Sequence, residues 1–394
     1  MPEIHTIVTK PRNHAARMKI LIVTDAWRPQ TNGVVSTLSH TVDCLRSFGH
    51  DVRLLTPEGF RTVPCPSYPE IRLAVLPGAR VTRFIAAFEP DAMHIATEGS
   101  LGMAARRYCV RRGLNFTTSY HTQFPQYLRS RFPIPLRLTY RWLRSFHGAG
   151  RACMVSTRSM QLELEERGFR NVVRWQRGVD TRLFRPGPKQ FLDLPRPIAV
   201  YVGRLAVEKN VDAFLAMPWA GSKLVVGDGP ERARLQASYP EGVFVGYRYG
   251  EDLVAHMAAS DVFVFPSRTD TFGLVNLEAM ACGLPVAAYP VTGPIDVIED
   301  GITGALNESL GRAAHRALAL NPAACRERAL YSSWERCTRE FEGNLASLRT
   351  GLPLLQNARQ AFSQVIQRGA HGGQQAAAPL EDHVQHALGQ RPAV

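Results

Sequence analysis

One repeating unit constrains this chain more than any other feature: a short, continuous apolar run, a polar loop containing glycine, and a segment with helical spacing. Met18–Thr24 (MKILIVT), the loop Asp25–Gly33 and the helix-period stretch from Val34 to Phe48 are its first occurrence. Asp51–Thr56, Ala92–Ala96, Phe116–Ser119 and Cys153–Ser156 read as further strands, with helices at Leu101–Arg112 and Gln161–Arg167. Runs that are apolar throughout, instead of alternating, belong to strands covered on both faces. The expectation is therefore a parallel sheet between two layers of helices.

A proline-dense stretch, FRPGPKQFLDLPRP at Phe184–Pro197, interrupts the pattern, and a second series follows. Ile198–Val202, Leu224–Val226, Val243–Val245, Val262–Phe265 and Pro285–Ala288 read as strands, with helices at Val211–Met217, Glu231–Ser238, Asp252–Ala259 and Leu274–Cys282. The fold class expected is α/β, with two doubly wound, Rossmann-like domains facing across a cleft at the carboxyl ends of their strands. The boundaries drawn are 18–190 and 197–320, then helices over 321–350. The segment 351–394, rich in Ala, Gln, Gly and His, is expected to be a mobile tail.

A chain of 394 residues with 45% hydrophobic and 21% charged residues can fill two such cores. Its charge is uneven. Residues 1–190 carry 29 Lys/Arg against 13 Asp/Glu, a balance of +16, whereas residues 191–394 carry 18 against 21, or −3. Between Glu98 and Glu163 there are eleven arginines and no carboxylate, a field suited to anionic surfaces within a Debye length. No apolar run is long enough to span a bilayer and Met1–Met18 lacks a secretory core, so a cytoplasmic protein is expected. The seven cysteines include no Cys-x-x-Cys pair, which points to buried thiols and neither a zinc site nor a disulfide framework.

Three segments carry candidate chemistry. Arg204 and Lys209 follow the first strand of the second series, where a diphosphate fits; from these two alone, a solvated charged loop is the simpler reading. Gly227–Pro230 (GDGP) is by itself a turn. Pro266–Gly283 (PSRTDTFGLVNLEAMACG) says most. Asp270 falls in a loop after a strand, Glu278 falls on the next helix within apolar neighbours, and Phe272–Leu274 offers free amides at that helix's start. Thr271 as a mere N-cap and Glu278 as a solvated residue remain open. An unpaired carboxylate among apolar side chains is costly, which weakens the second of these.

Together, DTFGLVNLE with EAMACGLPV after it, Gly203–Lys209 (GRLAVEK), GDGP, RGVD at Arg177–Asp180 and TNGVVS at Thr31–Ser36 resemble the family 4 retaining glycosyltransferases of the GT-B fold. The likeness runs from Met18 to Asn344 with the motifs in family order. It implies that Arg204 and Lys209 hold the diphosphate of a nucleotide-sugar, helped by amides at Gly33 and Phe272–Gly273–Leu274. It implies further that Glu278 takes the ribose hydroxyls, and that Asp270 and His121 contact the transferred sugar. Asp270 stands where the family usually has Glu. TEG at Thr97–Gly99 and SYHTQFPQY at Ser119–Tyr127 resemble the subgroup of GDP-mannose-dependent α-mannosyltransferases and sulfolipid synthases. Ser332–Trp334 resembles the helix that crosses back to the first domain.

What this implies is transfer of a hexose, mannose from GDP-mannose first, to a hydroxyl of a membrane lipid or lipid-linked glycan. No cofactor is implied, and with no Asp-x-Asp triplet no metal. UDP-glucose, UDP-glucuronate or UDP-sulfoquinovose are the alternative sugar sources. A non-catalytic basic membrane-binding protein is the alternative from another class, and the retention of both acids and both cations disfavours it. Independently of the resemblance, Leu136–Phe146 places Arg137, Arg141 and Arg144 on one helical face and Leu138, Trp142 and Phe146 on another. Either Trp142 and Phe146 pack in the core with the arginines solvated, or the helix lies on an anionic bilayer. On charge alone nucleic acid, anionic lipid and a phosphorylated substrate all stay open; the carboxylate-free surroundings favour a membrane role, and the resemblance implies a peripheral place at the inner face of the cytoplasmic membrane with no nucleic-acid partner.

Overall fold

The computed structural model describes residues 17–30, 32–65, 68–131 and 134–348. Thr31 of the TNGVVS motif and the 351–394 segment expected to be mobile lie outside the described residues. The first half runs β1 (Lys19–Val23), α1 (Gly33–Ser47), β2 (Asp51–Leu55), β3 (Thr62–Cys65), β4 (Tyr68–Ala74), α2 (Gly78–Phe88), β5 (Ala92–Ile95), α3 (Ser100–Arg112), β6 (Thr117–Ser119), α4 (Phe124–Arg131), α5 (Leu136–His147), β7 (Ala152–Val155), α6 (Arg158–Glu166) and β8 (Val172–Arg174). The second runs β9 (Ala199–Val202), α7 (Val211–Ala216), β10 (Lys223–Val226), α8 (Arg232–Ser238), β11 (Val243–Gly246), α9 (Gly250–Ala259), β12 (Val262–Phe265), α10 (Leu274–Ala281), β13 (Val286–Ala288), α11 (Pro294–Val297), β14 (Gly304–Leu306), α12 (Leu310–Leu318), α13 (Pro322–Leu330) and α14 (Trp334–Asn344).

Two six-stranded sheets result, ordered β2-β1-β5-β6-β7-β8 and β11-β10-β9-β12-β13-β14, each parallel throughout. Strand pleating divides the second sheet's side chains between two cores. Val200, Leu224, Val226, Phe263 and Phe265 enter one, whereas Ala199, Tyr201, Val225, Val262 and Val264 enter the other. In both sheets the chain reverses direction beside its first strand, between β1 and β5 and between β9 and β12. Loops at such a reversal splay apart and leave a crevice. Asp25–Gly33 follows β1, the Arg204 loop follows β9 and the Asp270 loop follows β12, so sheet order alone gathers these residues.

The antiparallel pair β3-β4 and the strands β8 and β14 were not apparent in the sequence. β3 carries Pro64 and an exposed Val63, and β8 and β14 have three residues each, too few for a periodic signal. α14 packs back on the first sheet's layer: Trp334 stacks on His40 of α1 with ring centroids 4.6 Å apart, and the Leu348 amide donates to the Asp91 carbonyl at 2.7 Å.

The faces of α5 require a correction. Its inner face is Thr139, Tyr140, Leu143, Phe146 and His147, so Phe146 is a core residue. Leu138 and Trp142 do not join it. They are 44% and 39% exposed, on the same side as the exposed Arg137, Arg141 and Arg144. Tyr140 takes the inward position through its hydroxyl, which accepts from Gln126 and donates to Glu163.

Candidate active site

The second sheet supplies a charged shelf. β9 ends at Val202, and the loop after it is fastened by the Leu205 amide to the Asp228 carbonyl (2.8 Å) and by the Tyr201 hydroxyl to the Arg204 carbonyl (2.8 Å). This fastening explains a glycine of the GDGP turn: at Gly227, with φ +145°, a Cβ would lie 1.9 Å from the Gly203 carbonyl oxygen. A short turn at Val207–Lys209 then delivers Lys209, held by the Asn210 side chain donating to the Pro266 carbonyl at 3.0 Å. The Lys209 ammonium donates to both carboxylate oxygens of Asp270, at 2.7 and 2.8 Å, in a part-buried pair. Two residues sixty-one positions apart, assigned separately to phosphate and sugar, thus form one unit. Arg204 sits in the same loop, five residues before Lys209.

α10 begins at Leu274 behind Gly273, its N-cap at φ +76°. A Cβ at Gly273 would lie 2.6 Å from Asn276 Nδ2 and 2.8 Å from the Phe265 ring, so only glycine fits. Glycine brings no side-chain cap, and Thr271 does not act as one, which leaves the first-turn amides for an anion. One turn on, Glu278 is half-buried, and burial pushes its carboxyl up to about 7, the only perturbing influence on it. Asn276 is fully buried, and neither of its amide atoms has a hydrogen-bond partner among the described residues.

The first sheet closes over this shelf. The Thr271 hydroxyl donates to the His121 carbonyl at 2.8 Å, and the Ser156 hydroxyl donates to the Thr271 carbonyl at 3.2 Å. Asp296 of α11 accepts from the Ser159 amide at 3.0 Å and from the Ser159 hydroxyl, capping α6 from across the cleft. A Cβ at Gly33 would lie 3.5 Å from Leu274 Cδ1, which puts the start of α1 against the start of α10. Gly33, His121, Lys209, Asp270, Phe272, Gly273 and Leu274 thus lie on segments of both sheets that contact one another, with Glu278 one turn on along α10. Arg137, Arg141, Arg144 and Trp142 belong to the separate surface on α5.

His121 is fixed from below. Arg177, only 5% exposed, donates to its Nδ1 at 3.3 Å and lies 4.3 Å over the Trp175 ring. Burial, then the charge of Arg177, then His94 and His147 hold His121 well below the usual histidine range. Its Nε2 is buried with no hydrogen-bond partner among the described residues.

Several of these residues carry no local sequence signal. Asp25 looks like a loop acid, yet it is buried and accepts from the Leu101 amide (2.9 Å), the Gly102 amide (3.3 Å) and the Thr97 hydroxyl (2.9 Å), anchoring α3 beside the crevice. Its position directly after β1 was the available hint. Asp296, Asn276, and His147, whose Nε2 lies 3.1 Å from Glu98, had none.

The arrangement offers cations and uncapped helix-start amides on one side and the His121 ring with its unpartnered Nε2 on the other, and among the described residues no nucleophile is paired with a base. Residues 31–183 match the family described as Glycosyltransferase Family 4, and residues 196–320 match the family described as Glycosyl transferases group 1. A GDP-mannose-dependent alpha-mannosyltransferase of Mycobacterium tuberculosis is 34% identical over 73% of this chain and 83% of its own. The sulfoquinovosyl transferase SQD2 of Arabidopsis thaliana is 30% identical over 76% of this chain and 64% of its own. Among solved structures, the sucrose-phosphate synthase of Thermosynechococcus elongatus superposes with TM-score 0.67 at 21% identity, covering 88% of this chain and all of that one. Anabaena HepE, solved with UDP and glucose, gives 0.63 at 17%, covering 82% and 98%. These two establish the same GT-B architecture.

Proposed function

The chain belongs to the family 4 glycosyltransferases, and from that premise we propose that it moves mannose from GDP-mannose, with retention at the anomeric carbon, to a hydroxyl of a membrane lipid or lipid-linked glycan. The observation that carries the reading is the Lys209–Asp270 pair beside the uncapped start of α10. As the anomeric C–O bond breaks, negative charge grows on the departing diphosphate. Arg204, Lys209 and the amides of Phe272–Leu274 receive it, and fixed groups of this kind are worth about 2.7–4 kcal/mol each. Asp270 holds the ammonium in place before the nucleotide-sugar arrives, so little reorganisation is left for the reaction itself, and its remaining lone pairs accept from sugar hydroxyls. Glu278 in its ionised form accepts from the ribose hydroxyls, and His121 contacts the sugar from the opposite sheet. The departing phosphate oxygen takes the proton of the attacking hydroxyl, which fits a site where no base is paired with a nucleophile among the described residues.

The membrane part of the reading rests on α5. Leu138 and Trp142 stand exposed beside a shallow apolar depression of about 350 Å³, lined also by Phe124, Leu128 and Ile134. Arg137 and Arg141 are exposed on the same helix, Arg144 is exposed while donating to the Arg167 carbonyl at 3.0 Å, and each arginine near an anionic bilayer adds about 1 kcal/mol. Among the described residues no helix is long and apolar enough to cross a membrane. A second reading, transfer of an anionic sugar such as sulfoquinovose from UDP, is favoured by the buried cation of Arg177 behind His121. A thermal-shift panel separates them: the true nucleotide-sugar at 100 times its Kd adds about 2.7 kcal/mol of stability. Product analysis with and without a lipid acceptor then distinguishes transfer from hydrolysis. Stabilisation by no GDP- or UDP-sugar would reject both readings.

A further inference from the structure

We propose that Arg177 is a positioning residue for sugar transfer: by donating to Nδ1 of His121 it confines the ring's single proton to Nε2, turning that atom into a fixed N–H donor for an oxygen of the bound sugar. The inference rests on the reading of His121 given above.

A guanidinium has donors and no acceptor, so the 3.3 Å contact from Arg177 Nη2 obliges Nδ1 to present its lone pair. A neutral imidazole carries one proton, which must then sit on Nε2. That nitrogen is buried and, among the described residues, has no acceptor of its own. An orphaned buried donor is unfavourable unless a ligand satisfies it, and the cleft beside Thr271 is where a ligand would enter. Protonation of the ring is opposed by its burial and by the cationic and histidine groups around it. Arg177 lies at Nδ1, His94 on β5 and His147 on α5 add repulsion, and Trp175 closes the remaining side in a T-shaped contact at 5.7 Å. Carboxylates in this region have other partners: Glu98 lies 3.1 Å from His147 Nε2, Glu340 accepts from the Gln176 amide at 2.8 Å, and Asp270 accepts from Lys209 at 2.7 and 2.8 Å.

Arg177 itself is an expensive choice for mere packing. It is buried, burial lowers its pKa to about 10, and no ion pair with it exists among the described residues. Its other hydrogen bonds go to the carbonyls of Trp175 and Gln176, which hold the fork rigid. A methionine would fill the same space without a buried charge. What it lacks is a donor to Nδ1.

The test begins with the unliganded wild-type protein, whose histidines are labelled with nitrogen-15 and assigned by the His121→Gln difference. The expected spectrum has His121 protonated at Nε2 and bare at Nδ1 from pH 5.5 to 8. A ring protonated at Nδ1, or one that titrates near 6.5, overturns the proposal whatever the enzyme's substrate proves to be. In Arg177→Met the two tautomers should mix and the ring should titrate. With the identified nucleotide-sugar, kcat should fall roughly 10- to 100-fold and a new acidic limb should appear in the pH profile. Affinity for the bare nucleotide should stay within twofold, because His121 meets the sugar and not the nucleotide. Arg177→Lys, which keeps a donor, should recover part of kcat and suppress the limb. If Arg177→Met loses activity equally at every pH and Arg177→Lys does not restore it, the residue is structural only. Failure of every nucleotide-sugar to bind would instead count against the proposed function, leaving the tautomer measurement to stand by itself.

Discussion

The two sheets of this molecule treat positive charge in opposite ways. In the second, Lys209 is matched by Asp270, the start of α10 carries amides without a cap, and Glu278 is held close to neutrality by burial. In the first, Arg167 pairs with Glu163, but the cations nearest the proposed roles are not matched by carboxylates among the described residues: Arg177 is buried without an ion pair, and Arg137, Arg141 and Arg144 of α5 are exposed. A matched and rigid set can accept an incoming dianion and lose it again without unfolding anything. An unmatched set instead creates a standing potential, useful for fixing a tautomer or meeting an anionic surface. On the proposed function, departing charge falls to one sheet, and orientation and docking fall to the other.

The largest effect that can break this comparison is expected at Lys209. Lys209→Ala should lower kcat by about 10²–10³ with the circular dichroism spectrum unchanged. Turnover at the wild-type rate would remove the second sheet from its assigned role. Next comes Glu278. Its carboxyl titrates at about 7 when folded against an ordinary 4.5, so between those values the folded state holds a proton that the unfolded state has lost. Stability should therefore fall as pH rises through that window, by about 2–3 kcal/mol at most, and Glu278→Gln should flatten the dependence in denaturant titrations at pH 5 and pH 8. Because the ionised form is the one that accepts from ribose, nucleotide affinity should rise with pH over the same range, and calorimetry in two buffers should detect release of a proton.

The docking side is sharpened on α5. Replacing Arg137 and Arg141 by glutamine should weaken binding to anionic vesicles by about 2 kcal/mol, an effect erased by high salt, while turnover of a water-soluble acceptor is unaffected. Equal loss with the soluble acceptor would place these arginines in the cleft instead. The smallest effect is expected at the clasp between the sheets. Asp296→Ala removes two bonds from Ser159 and should cost about 1 kcal/mol in thermal stability, with a higher KM for the nucleotide-sugar and kcat nearly unchanged.

What was legible in the sequence follows from how local each signal is. Parallel strands announce themselves as largely apolar runs, so β1, β2, β5, β7, β9, β10 and β12 were readable to within a residue or two. The glycines and charges of the second sheet sit in short motifs, so Arg204, Lys209, Asp270, Gly273 and Glu278 could be singled out, although the direct bond between Lys209 and Asp270 could not. Asp25 with α3, Asp296 with Ser159, and Arg177 with His121 join positions 56 to 137 residues apart, and no periodicity encodes such distances. α5 failed for a different reason. Its helical spacing grouped Leu138, Trp142 and Phe146 in one stripe, but the fold divided them, turning Phe146 inward with Thr139, Tyr140 and Leu143 and leaving Leu138 and Trp142 outside.

A crystal structure with a non-hydrolysable GDP-mannose analogue tests the central claim most directly. The diphosphate is expected within hydrogen-bonding distance of Arg204, Lys209 and the first-turn amides of α10, with Lys209 bridging it to Asp270. A diphosphate seated against the first sheet's arginines, away from these groups, would contradict it.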